Sequence, residues 1–560
     1  MEIEDKIKEI IGKAAGIKGN IFLEMPKQDF GDYAFACFSL SKEQKKNPAD
    51  IAKQIATKIN KLKVKEIEKV TADGGYINFF LEKEGFSKQI VERVINEKEK
   101  YGTSNEGNGK NIVIDFSSPN IAKPFNIGHL RSTIIGYSLY KIFNSLGYHS
   151  IGINHIGDWG TQFGQLIYAY KKWGSETRLK KEPIKYLLEL YVKFNFELEK
   201  NPLLQEEARI WFKKLEMGDK EALDLWRNFK DLSLEDFNKI YTMLDVKFDH
   251  ITGESFYNDK MKKTVDLLKA RGITKISQGA LVVDLERFNM PPCILEKTDG
   301  ASTYATRDLT AVMYRNEAFK PEKLIYVVGS EQRLHFKQFF KVLDLAGFEW
   351  YDKCIHVPFG LIRLPEGKLS TRLGRVIFME DVLDKGIELA NKIIKQKNPK
   401  LKNRDKVARD VAIGAIIYGD ISNDRVLDVE FDWNKVLSFE GNSGPYLQYS
   451  YVRANSILKN LNKGSGKASF KNIDEKEFIL IREISMFNKI IRQAANNFKP
   501  NVIANYAYSL SQRFNDFYES CPVLKADKGI KERRIMLVQA TRQVLANALG
   551  LLGVPVLEEM

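Results

Sequence analysis

Residues 115–143, DFSSPNIAKPFNIGHLRSTIIGYSLYKIF, constrain the fold more than any other stretch. Overlapping its start, residues 111–116 (NIVIDF) form an apolar, β-branched run, the pattern of a buried strand. A polar loop punctuated by Pro119 and Pro124 follows. From Gly128 onward Leu130, Ile134, Ile135, Leu139, Ile142 and Phe143 fall on one helical stripe. Strand, loop and helix in that order leave backbone N–H groups and the positive end of a helix dipole aimed at a ligand. Asn126-Ile127-Gly128-His129 sits at that helix entrance. Gly128 lets a flat base approach the backbone, and His129 can donate to a phosphate or a developing oxyanion. Taken alone, this unit also fits an ordinary strand–helix turn carrying a solvated histidine.

At 560 residues the chain is too long for one core; about 150 residues per domain implies three or four. With 44% hydrophobic and 29% charged residues it reads as a soluble globular protein. The longest apolar run, residues 411–418, is too short to span a bilayer, and the amphipathic, charged start MEIEDKIKEIIGKAAG has no apolar signal core. The expected compartment is the cytoplasm. Cys37, Cys293, Cys354 and Cys521 are scattered, without a CxxC pair, and read as thiols of a reducing compartment rather than disulfides or zinc ligands. The net charge of +14 fits a polyanionic partner or simply a lysine-rich composition. Within residues 385–409, Lys385, Lys392, Lys395, Lys397, Lys400, Lys402, Arg404, Lys406 and Arg409 form either an RNA-tracking surface or a solvated linker helix.

Along the chain, residues 1–100 mix helix and strand signals, with a helix at 51–62 opened by Asn47-Pro48 and a strand at 75–81. A Gly/Ser/Asn-rich linker spans about 98–110. A second strand is expected at 149–156, running into GDWGTQFG (157–164), where Asp158 and Gln162 orient a substrate or cap the next helix; for Asp158 the cap is preferred. Residues 165–260 read as helical, their aromatic stripe as packing. Strand-like runs at 280–285, 324–329 and 355–361 then suggest a parallel sheet resumed after an insertion. From about 380 the pattern is helical, with one long helix carrying Phe478 through Ala494 and another from Arg534 to Leu552.

Several of these stretches resemble the arginyl-tRNA synthetases, class I enzymes with the "HIGH" and "KMSKS" signatures. SSPNIAKPFNIGHLRST is similar to that family's first signature and GKLSTRLG (367–374) to its second. GDWGTQFG, DGASTYATRD (299–308), VVGSEQRLHFKQ (327–338) and NSGPYLQYSYVRA (442–454) extend the likeness over essentially the whole chain. The resemblance implies an α/β fold. A class I doubly wound (Rossmann-like) parallel-sheet catalytic domain would occupy 108–380, with a helical insertion at about 165–260. An N-terminal α+β domain at 1–100 would meet the tRNA elbow, and an all-helical anticodon-binding bundle would occupy 381–560. It implies an arginine–tRNA ligase that uses ATP with Mg²⁺ and no tightly bound cofactor, a monomer whose partners are tRNA(Arg), L-arginine and ATP, with no membrane attachment and no metal-ligating residues.

Residue by residue, it implies that His129, Lys123, Lys368 and Arg372 serve catalysis and that Asn126, Gly128, His129, Lys368 and Ser370 bind ATP. Tyr304 and Asp308 would hold the guanidinium, Gln332 would complete that pocket, and Asp115 and Asn120 would hold the backbone amine and carboxylate. Tyr76 and Asn78, in FGDYAFACFSLSK…GGYINFFL, would touch a base of the tRNA elbow; as plain chemistry Tyr76 equally reads as a strand residue half in the core. The physical demands agree. Attack of a carboxylate on a phosphorus needs positioning and positive charge, and a guanidinium needs carboxylates in fixed geometry. Departures are Asn126 where a His is usual, Leu369 for Met, and Thr371-Arg372 for Lys-Ser, with Lys123 as the implied substitute for the lost lysine. Leu373 and Arg375 also differ from the commoner ending, and Asp115 stands where Glu is frequent, shortening that contact by a methylene or inserting a water. Two other readings remain at this level: another class I synthetase, of cysteinyl or glutamyl type, and a non-enzymatic RNA-binding relative with a drifted site.

Overall fold

Asn111–Asp115 is the middle strand of a five-stranded sheet, which is why it is apolar on both faces: Ile112, Val113 and Ile114 are buried between layers of helices. The structure is a computed structural model and describes residues 3–17, 19–24, 26, 30–363, 377–459 and 466–560. Its contacts divide the chain into two compact units. One comprises Met1–Glu99, Ile457–Ser485 and Gln512–Val544; the other comprises Lys100–Ser456, Met486–Ser511 and Leu545–Met560.

The first unit holds an antiparallel sheet of β1 (Tyr33–Ala36), β2 (Ile67–Asp73) and β3 (Tyr76–Leu81), with β3 in the middle. The helix Pro48–Lys61 covers it through Ile51, Ile55 and Ile59, and Asn47 caps that helix by accepting the Ala49 N–H at 2.9 Å. Late segments of the chain complete this unit. Phe478 meets the edge of Phe86 at 6.1 Å, and Arg482 lies 3.0 Å from Asp32. Glu477, fully buried, receives Arg533 at 2.7 Å and Arg534 at 2.5 Å.

In the second unit the strands of the two larger sheets, in chain order, are β4 (Asn111–Asp115), β5 (His149–Asn154), β6 (His250–Ile251), β7 (Thr274–Ser277), β8 (Ala280–Val283), β9 (Cys293–Glu296), β10 (Lys323–Gly329) and β11 (Cys354–Phe359). The large sheet runs β11-β10-β4-β5-β6 with every neighbouring pair parallel. The chain moves outward from β4 to β5 and β6, then returns to the other side of β4 for β10. That reversal opens a crevice at the carboxyl ends of β4 and β10. Between β5 and β6 stand the inserted helices Thr161–Trp173, Glu176–Lys181, Pro183–Lys200, Leu204–Glu216 and Lys220–Met243.

The expected parallel strand at 280–285 is corrected by the structure. β8 belongs to a separate antiparallel sheet, β7-β8-β9. Gln278 and Gly279, with φ of 48° and 79°, make the two-residue turn with both central residues left-handed that favours a hairpin. The single long helix expected from Phe478 to Ala494 is two helices, Glu475–Ser485 and Phe487–Asn497, and the first lies in one unit and the second in the other. Phe487 stacks on Tyr101 and Tyr506, partners distinct from those of Phe478.

The helix Ile127–Ser145 packs against β4 so closely that only a glycine fits at 136. A Cβ there would lie 2.2 Å from the Phe116 Cβ. Gly136→Ala is therefore expected to destabilise the protein by about 1–3 kcal/mol, measured by urea denaturation.

Candidate active site

The crevice is a cleft of about 620 Å³ lined by Asp115, Asn120, Gly128, His129, Tyr304, Asp308 and Gln332, together with His155, Glu254, His335 and others. Asp115 closes β4, paired in register with Tyr326 of β10. Beyond β4 the chain passes through Ser117, Ser118 and Ala122, all left-handed, with φ of 72°, 50° and 58°. Non-glycine residues in that region cost about 1–3 kcal/mol each and persist only where neighbours fix them. Here the neighbours are explicit. Ser132 Oγ accepts the Ser117 N–H at 2.9 Å, Asn154 the Ser118 N–H at 3.1 Å, and Ser233 the Ala122 N–H at 2.8 Å. Tyr241 meets the Ser117 hydroxyl at 2.7 Å. Ser233 and Tyr241 come from the inserted helix Lys220–Met243, so the insertion braces the loop that presents Asn120.

At the helix entrance, Asn126 Oδ1 accepts the Gly128 N–H at 2.9 Å, and His129 Nδ1 accepts the Asn126 N–H at 3.1 Å. This is a capping box in which the histidine takes the part usually played by Glu. Burial, reinforced by the nearby Lys123 charge, pushes the His129 imidazole down to about 4. It is therefore neutral near pH 7, and with Nδ1 accepting, its proton sits on Nε2, free to be donated. Asn126 is thus placed as the cap, and its carboxamide oxygen serves the helix.

Other expected residues fall as follows. Asp115 lines the cleft, but its Oδ2 lies 2.8 Å from the buried Arg315 and its Oδ1 accepts the Ser118 hydroxyl at 2.8 Å. A contact to an amine would use a carboxylate already bound on both oxygens. Tyr304 opens the helix Tyr304–Phe319, 66% exposed, and Asp308 follows one turn later on the same face. Lys123 is half-buried with its ammonium 5.3 Å from the Tyr191 ring. In the first unit Tyr76 is half-buried against the edge of Phe38, and Asn78, two residues on and so on the same face of β3, is only 4% exposed. Lys368, Ser370 and Arg372 lie outside the described residues.

Asp158 corrects another expectation. It does not cap the following helix, whose N-cap is Gly160. Its buried carboxylate instead accepts the Ser255 N–H at 2.8 Å and hydroxyl at 2.7 Å, and pairs with Lys230 at 2.7 Å. That ties down the turn Glu254–Tyr257 and with it a residue that sequence reasoning missed. Burial pushes the Glu254 carboxyl up to about 7 against the pull of Arg307, 3.6 Å away. Nothing in the local sequence marks Glu254. His335, 2.5 Å from Asp308, was missed too, although its i, i+3 spacing from Gln332 places both at one helix entrance.

Residues 90–433 match the family described as "tRNA synthetases class I (R), catalytic domain". Residues 447–560 match the "DALR anticodon binding domain", and residues 1–81 the "Arginyl tRNA synthetase N terminal domain". An arginine–tRNA ligase of Clostridium acetobutylicum is 48% identical over 560 residues, covering 100% of this chain and 99% of its own. One from Clostridium perfringens is 50% identical, covering 96% and 95%. The arginyl-tRNA synthetase structure of Plasmodium falciparum aligns with a TM-score of 0.82 at 26% identity over 100% and 99% of the two chains. That of Thermus thermophilus, 24% identical, shares the fold with a TM-score of 0.86 over 99% and 100%. With a catalytic-domain match across more than half its length and relatives near 50% identity end to end, this chain belongs to the arginyl-tRNA synthetase family of class I synthetases.

Proposed function

We infer that the protein ligates L-arginine to tRNA(Arg) in two steps. In the first, an arginine carboxylate oxygen attacks the α-phosphorus of ATP and pyrophosphate leaves. In the second, the 2′-hydroxyl of the terminal ribose attacks the adenylate carbonyl and AMP leaves. The observation that carries this reading is the convergence of Asn120, Gly128, His129, Tyr304, Asp308 and Gln332 on one cleft at the sheet's reversal point.

In this reading Tyr304, Asp308 and Gln332 grip the guanidinium, Asn120 and Asp115 orient the carboxylate end, and the base of ATP lies over Gly128. His129 donates its Nε2–H to phosphate oxygens as charge builds on them. Lys123, Lys368 and Arg372 add positive charge there, Ser370 a hydroxyl, and Asn126 supports the site by capping its helix. Mg²⁺ arrives with ATP, bound to the phosphates. The N-terminal domain (1–100), with Tyr76 and Asn78 on one face of β3, meets the tRNA elbow, and the helical region from about 381 reads the anticodon; the matches at 1–81 and 447–560 support an N-terminal and an anticodon-binding domain. We further place the protein in the cytoplasm, as a monomer without membrane attachment. The four cysteines are buried free thiols. The helix Ile530–Leu552 is apolar and long enough to cross a bilayer, but half its most apolar window is buried, and Arg533 and Arg534 at its start are bound by Glu477.

Arginine-dependent exchange of pyrophosphate into ATP, run with and without tRNA(Arg) beside other amino acids, tests the reading. Exchange with arginine supports it. Exchange with a different amino acid means the pocket is misread, and silence with tight tRNA binding points to an RNA-binding relative. His129→Ala is expected to lower kcat about 100-fold with little change in KM, because its bond strengthens as charge develops. A change confined to KM would contradict that role.

A further inference from the structure

We propose that His335 is a positioning residue of the arginine pocket: it aims the Asp308 carboxylate through Nε2 and, on taking a second proton, cancels the charge the guanidinium needs. This rests on the reading of Asp308 as the guanidinium partner. His335 stands in the first turn of the helix Arg333–Leu345, and its Nε2 lies 2.5 Å from Asp308 Oδ2. Both side chains are partly sheltered, 25% and 32% exposed, and both line the cleft with Tyr304 and Gln332. The rings of Phe336 and Phe339, each 5.6 Å from the imidazole, hold its orientation. A neutral imidazole with its proton on Nε2 donates to Oδ2 and leaves the carboxylate its full charge, with Oδ1 turned to a ligand. A protonated one makes a salt bridge with the same oxygen, and an incoming guanidinium then meets a neutralised pair.

On β11, His356 is held down to about 4 by burial, with its Nε2 donating to the Val328 carbonyl at 3.0 Å. His155, beyond β5, is likewise lowered by burial, while the Cys293 thiol on β9 is pushed up to about 12. Arg307 and Arg333 stay charged. Glu254, paired with Arg307, is pushed up to about 7 by burial.

The test is calorimetric titration of the full-length protein with L-arginine from pH 5.5 to 8, for wild type, His335→Gln, His335→Leu and Glu254→Gln, with melting curves to verify folding. In the wild type the dissociation constant is expected to rise by up to about tenfold per pH unit on the acid side. His335→Gln keeps an N–H donor without a titrating charge, so its affinity should lose most of the acid-side slope. His335→Leu should bind about tenfold or more weakly than His335→Gln at pH 8, having lost the donor. Glu254→Gln should keep the acid-side slope. A His335→Gln protein with the wild-type slope, or a wild type with none, overturns the proposal. A wild type that fails to bind arginine at pH 8 overturns the Asp308 reading itself.

Discussion

Asp308→Ala is expected to raise the arginine dissociation constant by about two orders of magnitude while leaving tRNA affinity within about twofold. Asp308 shares the cleft with Tyr304 and Gln332 and faces the imidazole of His335. Truncating one side of a close charge pair costs about 2–5 kcal/mol, and each 1.4 kcal/mol is tenfold in affinity. The tRNA would be spared because its affinity rests on many phosphate contacts rather than on one carboxylate inside the cleft. Asp308→Asn separates charge from shape, keeping the volume and one acceptor, and should lose most of the same affinity. Calorimetry with arginine and filter binding with tRNA measure the two quantities. Unchanged arginine affinity in Asp308→Ala would remove the basis for assigning the substrate.

A second large effect is expected at Arg131, on the signature helix and only 1% exposed. Its Nε lies 2.8 Å from Asp420, and its Nη1 donates to the carbonyls of Gly360 and Leu427 at 2.8 Å each. Arg131→Met removes one partner of a buried pair, which costs about 3–5 kcal/mol because the other charge is left without compensation. Burial already pushes the Asp420 carboxyl up to about 6 although Arg131 pulls it down; without the arginine it rises further. A carboxyl raised above its unfolded value near 3.9 binds its proton more tightly when folded. The folded state therefore gains stability as pH falls through the folded value and pays most above it. The deficit of Arg131→Met should accordingly shrink from pH 8 to pH 5 in urea denaturation. Arg131→Met with Asp420→Leu should recover most of it. Equal deficits at both pH values would mean that the loss is packing alone.

What the sequence discloses depends on how locally each feature is determined. The central strand prints a continuous apolar run because helices cover both faces of it, and the following helix prints a stripe because only one face is covered. The cleft residues at the ends of β4 and β10 lie within short motifs, so a linear reading finds Asn120, His129, Tyr304, Asp308 and Gln332. β6 has two residues, too few to leave a pattern. β8 carries the same apolar signal as a parallel strand; its direction is decided by the Gln278-Gly279 turn. The partners that shape the site, Arg315 for Asp115 and Ser255 for Asp158, lie 200 and 97 residues away, beyond any spacing rule. Asn126 sits at the helix entrance, where a ligand contact and a helix cap both call for a short polar side chain; its Oδ1 serves as the cap.

The composition of the first unit has a consequence for synthesis. Its sheet and opening helices leave the ribosome long before the segments that complete it, Ile457–Ser485 and Gln512–Val544. For the more than three hundred and fifty residues between, Phe86 and Asp32 await Phe478 and Arg482. The larger unit also needs the stretch Leu545–Met560, so neither unit closes until these late segments have been made. A nascent chain stalled or nicked late would therefore lose both bodies at once, and its exposed apolar faces would mark it for chaperones or proteases.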